Sequence, residues 1–199
     1  MTQAYMDTLI FSYDDSVEFI YNWLDTSADL QIKVADKTYT LTYVETKGTG
    51  ANCKVLKYES DELTYGIRIC EDALPSSDET KISTFLNNTK FIAKQRTIGT
   101  MLSSLSKGKN TFVYITKLYD IDLFTYLLKT QHAQNIDEKL LILNTVQEKL
   151  CGLAKIQQYY FDLKPNNIVC NLSDGRIDVN SIVFCDLDSI VDRRQHSPP

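Results

Sequence analysis

The segment YYFDLKPNNIVC at 159–170 places Asp162, Lys164 and Asn167 within six residues: a carboxylate, an ammonium and a carboxamide on one short loop. An apolar helical pattern ends just before it and an apolar strand pattern follows, and a further carboxylate, Asp186, stands in VFCDLD. Phosphoryl transfer asks for such a set. It needs a carboxylate to orient and deprotonate an attacking hydroxyl, a cation near the moving group, and oxygen ligands for magnesium. The bland alternative is a helix-to-strand loop in which Pro165 stops the helix, the asparagines tolerate turn geometry and Asp186 is a solvated strand end.

The elements that must position these groups follow from periodicity. Residues 14–25 carry Val17, Ile20, Tyr21 and Leu24 at helical spacing, which predicts an amphipathic helix. LQIKV and TYTLTYV alternate around Ala35-Asp36-Lys37 and predict a hairpin, and VLKYE and LTYGIRI predict two more strands. A helix is expected near 78–87, and extended chain over 91–98 and 111–117. From Asp122 the period changes: DLFTYLLKT reads as a short helix and 136–157 as a longer one. The stripe of the longer helix is Ile136, Leu140, Leu143, Val146, Leu150, Leu153 and Ile156. Ile168–Leu172 and Ile177–Phe184 predict a hairpin around Ser173-Asp174-Gly175, and the RRQHSPP tail is expected to fray. The organisation expected is α+β, with a strand-rich first part followed by a helical part.

Composition narrows the function classes. The 199 residues, 43% hydrophobic and 24% charged, suit one folded domain or two small lobes. A formal net charge of −5 without a long basic cluster argues against a nucleic-acid binder, and no apolar stretch suggests a membrane span or a signal peptide, so a cytoplasmic location is expected. The five cysteines are dispersed without a C-x-x-C pair, which favours reduced thiols, and two histidines make a histidine-based zinc site a poor expectation.

The loop and its sequel resemble the catalytic and metal-binding segments of protein kinases. The family's H-R-D-L-K-P-x-N falls on Tyr160 to Asn167, and its D-F-G on Asp186, Leu187 and Asp188. Upstream, KGTGANCKV resembles the Gly-rich loop, with Gly48, Gly50 and Val55 in register, and YGIRI stands where the family has its V-A-I-K strand. TKLYDIDLFTYL resembles the hinge and the helix after it. The resemblance implies a protein-kinase-like fold: an N-terminal extension over 1–40, an antiparallel N-lobe over 41–117 and a truncated, mainly helical C-lobe over 118–199. It implies ATP and magnesium as cofactors, Asp162 as catalytic base, Lys164 at the moving phosphoryl, and Asn167 with Asp186 as metal ligands. Gly48 and Gly50 would approach the phosphates, Val55 would pack on the adenine, and Arg68 would hold the α- and β-phosphates, paired with Glu79. Glu71, Asp72 and Asp78 remain rivals for that pairing.

The departures matter as much. Arg68 replaces the strand lysine, offering a longer planar fork, with Lys54 and Lys57 nearby as substitutes. Tyr160 and Phe161 replace His-Arg, which implies no phosphorylated activation loop, and 13 residues follow Asp186, with no A-P-E segment. The plan is similar to that of short viral or bacterial-effector kinases. The reading is therefore a minimal serine/threonine-type kinase acting on a protein substrate, with a pseudokinase that binds nucleotide or a regulatory protein partner as the alternative. A third reading is a phosphotransferase for small molecules. Apolar surface left by the truncated lobe would be covered by helix 14–25 or by a partner chain, for instance in a dimer.

Overall fold

The computed structural model describes residues 17–19, 30–34, 37–49, 53–60, 64–71, 90–93, 95–102, 110–130 and 136–192. It is a mixed α+β structure with antiparallel sheets and two helices among the described residues. The chain divides into two compact units, one formed by 1–83 with 94–118, the other by 84–93 with 119–199.

The first unit is a seven-stranded sheet. Its strands are β1 (Val17–Phe19), β2 (Leu30–Val34), β3 (Lys37–Thr49), β4 (Cys53–Glu59), β5 (Thr64–Glu71), β6 (Gln95–Leu102) and β7 (Asn110–Thr116). They lie in the order β1-β2-β3-β4-β5-β7-β6, every neighbouring pair antiparallel. The hairpin expected around 35–37 is present as β2 and β3, paired from Val34↔Lys37 outward. Of the helix expected over 14–25 only residues 17–19 are described, and they form β1 at the edge of the sheet instead; the rest lies outside the described residues. Val17 and Phe19 favour strands, the three residues pair in register with Ile32–Val34, and tertiary pairing overrides the helical spacing. The helix expected near 78–87 lies outside the described residues.

Alternation builds the core of this unit. Leu56, Tyr58, Tyr65, Ile67 and Ile115 are all essentially inaccessible, and the registers Tyr58↔Tyr65, Leu56↔Ile67 and Ile67↔Ile115 put them on one face. The opposite face carries the row Val55–Arg68–Tyr114 across β4, β5 and β7. Strand β5, lying between β4 and β7, is buried on both faces, which is why Arg68 is only 8% exposed. Gly66 belongs to that second face. A Cβ there would lie 2.6 Å from the Thr116 side chain and 2.8 Å from that of Leu118, so β5 needs the missing side chain to let both residues cross it.

The expectation of uniformly reduced cysteines fails in this sheet. Cys53 is disulfide-bonded, and Cys70 is its register partner on β5. Sequence spacing of 17 residues hid that pairing, because a hairpin register, not a short motif, brings the two positions together. Cys151, Cys170 and Cys185 are not in disulfides.

The second unit holds both helices, α1 (Leu123–Thr130) and α2 (Ile136–Lys155), with short strands around them. Asp122 caps α1: its carboxylate accepts from the Thr125 amide at 2.9 Å and the Thr125 hydroxyl at 2.6 Å, a contribution of about 1 kcal/mol. Tyr126 buries its ring and donates its hydroxyl to Glu138 at 2.7 Å, tying α1 to α2. The stripe expected on α2 is only partly the buried one. Ile142, Val146 and Leu153 are buried, whereas Ile136, Leu140 and Leu143 are exposed. The inward face is thus rotated towards Ile142, and Gly152 lies where Phe91 crosses the helix, its absent Cβ replaced by the Phe91 ring 2.5 Å from that position. Gln157, in the left-handed region at φ 61°, turns the chain out of the helix.

The remaining strands are β8 (Ile121–Asp122), β9 (Gln158–Tyr160), β10 (Ile168–Cys170), β11 (Leu172–Ser173), β12 (Arg176–Ile177), β13 (Val183–Phe184) and β14 (Ile190–Asp192). They form the small sheets β13-β10-β8, β11-β12 and β14-β9. The hairpin expected over 168–184 is therefore split between two sheets. Its tip is the Asp174-Gly175 turn, with both residues at positive φ (51° and 77°), the primed geometry that matches strand twist. Residues 91–93 run alongside Phe184, exchanging hydrogen bonds of 2.7 and 2.8 Å with it. No helix among the described residues is long and apolar enough to cross a membrane.

Candidate active site

The loop between β9 and β10 is shaped by its own side chains. Pro165 opens a single 3-10 turn over Pro165–Asn167, with fixed φ suited to a first helical position. That turn swings Asn167 back beneath Asp162. The Asn167 carboxamide nitrogen donates at 3.0 Å to the Asp162 backbone carbonyl and at 3.0 Å to Asp162 Oδ2. Lys164 Nζ donates to the same Oδ2 at 2.5 Å. Both donors converge on one carboxylate oxygen, and no donor among the described residues reaches Oδ1.

Electrostatics follow from this arrangement. The hydrogen bond and charge of Lys164, with a smaller share from Asn167, hold the Asp162 carboxyl below its ordinary value despite some desolvation. Lys164 is raised in turn, chiefly by its bond to Asp162. Asp162 and Lys164 side chains are 47% and 49% exposed, so the pair faces solvent, while Asn167 is buried. The pair is accordingly accessible and solvent-screened, and its value lies in fixing geometry more than in stability.

Asp186 comes to the same end of the unit through the strand ladder. Ile168↔Phe184 is the terminal register pair of β10 and β13, and the Cys185 amide extends it by donating to the Asn167 carbonyl at 2.9 Å. Asp186 itself is in the left-handed region, φ 62° and ψ 67°, a conformation that non-glycine residues hold only when their surroundings enforce it. One hydrogen bond to its carbonyl, from the Ser189 amide at 3.2 Å, closes the short turn that follows. With the Asn167 nitrogen donating to Asp162, its amide oxygen and the Asp186 carboxylate are oxygen groups of the type that could hold a hard cation such as magnesium. Among the described residues no cluster of three or more His, Cys, Asp and Glu could hold a metal.

The residues of the first unit are placed separately. Gly48 lies directly opposite Val55 in the β3–β4 pair, beside a register shift between Thr46 and Gly48. A Cβ at Gly48 would meet nothing within 4 Å, so protein packing alone does not demand glycine there. Arg68 neighbours Val55 across the β4–β5 pair, donates from Nη2 towards Cys53 Sγ at 3.7 Å, and lies over the Tyr114 ring at 5.6 Å. Lys54 is exposed, and Lys57 is paired with Glu59 at 2.5 Å. Gly50, Glu79, Asp72 and Asp78 lie outside the described residues, and Glu71 is placed by its backbone alone, opposite Thr111.

One residue gains weight beyond its sequence reading. Tyr160, noted in the sequence only as a replacement, bonds the Cys185 carbonyl at 2.5 Å and stacks on Phe184 at 5.0 Å. Its partners are 24 and 25 positions away, and no local pattern carries that information. No known family description matches the chain, and no curated protein matches it.

Proposed function

We propose that the chain is a minimal phosphotransferase of the protein-kinase type, moving the γ-phosphoryl of ATP to a serine or threonine hydroxyl. The observation that carries the reading is the asymmetry of Asp162: Oδ2 is held by Lys164 and Asn167, and Oδ1 is left to accept a proton. An acceptor hydroxyl hydrogen-bonded to Oδ1 is oriented for in-line attack; its proton passes to that oxygen as the new phosphate ester bond forms and the bond from the γ-phosphorus to the β,γ-bridging oxygen breaks, with ADP leaving on the opposite side. Lys164, adjacent to Asp162, supplies positive charge where phosphoryl oxygens gather charge. Asn167 and Asp186 would hold magnesium, which supplies charge neutralisation of the phosphates. The serine/threonine preference rests on the lysine two residues after the catalytic carboxylate, as the kinase resemblance implies.

A second reading, a nucleotide- or partner-binding module without turnover, is favoured by Arg68. The guanidinium is buried in its sheet against Tyr114 and Cys53, a well-packed structural role that an arginine kept for phosphates does not need. Transfer from labelled ATP with magnesium, onto the protein and generic acceptors, separates the two. The kinase reading expects label with the native chain and none with Asp162→Ala or Asp186→Ala. Equal background in all three overturns it in favour of the second.

A further inference from the structure

We propose that the outward face of α2 is a homodimer interface, on which two copies of this chain pack their α2 helices antiparallel about a two-fold axis at the level of Thr145. The proposal stands independently of the phosphoryl-transfer reading.

Helix α2 carries two apolar faces. Ile142, Val146 and Leu153 form the buried one. Ile136, Leu140, Leu143, Gln147, Leu150 and Ala154 form the other, recurring at alternating intervals of four and three, the spacing of a helix–helix seam. The seam lies roughly a third of a turn from the buried face. Its first three residues, Ile136, Leu140 and Leu143, are 67%, 48% and 60% exposed. Gln147 is exposed, and Leu150 and Ala154 are half-buried. Three large apolar side chains in succession face solvent without holding their own unit together, and contiguous apolar surface of this kind marks an interaction site.

Size and charge along the seam select a second copy as its occupant. Antiparallel pairing sets Ile136 opposite Ala154, Leu140 opposite Leu150 and Leu143 opposite Gln147. The bulky first half of each helix then meets the leaner second half of the other. Parallel pairing would stack Gln147 on Gln147 and Ala154 on Ala154, burying amides against each other and leaving a void. The charges agree. Asp137 in the first turn and Lys155 in the last are both exposed. They stand 18 positions apart (155 − 137), a whole number of turns at 3.6 residues each, so they share one flank of the seam. Antiparallel pairing brings Asp137 of each copy beside Lys155 of the other, twice per dimer, and opposes the two helix dipoles. Parallel pairing would set like charges side by side.

Sedimentation equilibrium of the full chain, from micromolar to submillimolar concentration, tests the interface. The native chain should form a dimer. Leu143→Glu should weaken it by about thirtyfold or more, the loss expected for a central interface anchor. Asp137→Lys alone and Lys155→Asp alone should each weaken it by about fivefold, through two ion pairs replaced by like charges. Combining Asp137→Lys with Lys155→Asp should restore association to within about twofold of native. That restoration separates pairing between copies from damage to the helix ends, because the combined variant keeps both ends unfavourable to the dipole. If Leu143→Glu lacks a cooperative melt, the charge exchanges decide without it. A native chain that stays monomeric throughout overturns the proposal and leaves the face to a different protein or to another segment of this chain. A dimer unaffected by a folded Leu143→Glu overturns it as well. So does a combined exchange that associates no more tightly than the single variants, since α2 would then not pair antiparallel.

Discussion

Asn167 donates two hydrogen bonds from its amide nitrogen to one residue, Asp162, reaching the backbone carbonyl and Oδ2 at 3.0 Å each. A buried carboxamide therefore sets both the path of the loop and the orientation of its carboxylate. Removing it should act twice. Asn167→Ala is expected to lower stability by about 1–3 kcal/mol, from two lost hydrogen bonds and a small void, measured by chemical denaturation. It should also abolish detectable transfer while the melt remains cooperative. Retention of full transfer would contradict both the bond and the ligand role assigned to Asn167.

The Asp162–Lys164 pair predicts a pH dependence whose sign is fixed. The Asp162 pKa is lowered in the folded chain, so its pairing favours the fold above the ordinary aspartate value and is lost as pH falls through the lowered one. The carboxylate needed for proton acceptance persists over that same higher range. A carbon-detected titration should find Asp162 below 3.8, its unperturbed value. In Lys164→Met the midpoint should rise towards that value. An unchanged midpoint would show that Lys164 does not hold the carboxylate in solution.

Gly152 sets two opposing effects against each other. Alanine in a helix interior gains about 1 kcal/mol over glycine, yet a Cβ here would lie 2.5 Å from the Phe91 ring. Overpacking costs roughly 1–3 kcal/mol, so Gly152→Ala should be neutral to destabilising in spite of its better propensity. In a Phe91→Ala background the same change should stabilise. A double-mutant cycle without that reversal would place Phe91 away from the helix.

Gln158 is buried to 1% exposure, and among the described residues neither its amide nitrogen nor its amide oxygen has a hydrogen-bond partner. It lies on β9 opposite Asp192, which is also buried. Gln158→Met, similar in shape and free of strong polar atoms, should raise stability by about 1–3 kcal/mol in a urea titration. A loss of stability instead would reveal a buried water or other partner satisfying the amide.

Strands β3 and β4 were legible because alternation survives in both: Tyr39 and Leu41 on β3 and Leu56 and Tyr58 on β4 are buried, with less buried residues between them. Residues 17–19 misled because i, i+3, i+4 spacing in a short segment does not register the open edge of β2 beside it. On α2 the apolar residues outnumber the buried ones, so periodicity alone could not choose between the Leu140–Leu143 side and Ile142. Asp162, Lys164 and Asn167 were legible as a unit because they act on one another across five positions. Tyr160 was not, because its contacts arise only once β9 and β14 have paired.

That contrast has a thermodynamic consequence. The bonds that shape the Asp162 loop join residues two and five positions apart, whereas the bond from Tyr160 to the Cys185 carbonyl spans 25. Closing a short loop costs less chain entropy than closing a long one, and local structure re-forms sooner after a fluctuation. Partial opening of the second unit should therefore release Asp186 first and leave the Asp162 carboxylate still gripped by its neighbours. Hydrogen exchange would find the two halves of the candidate site in different cooperative units, with the metal side the first to let go.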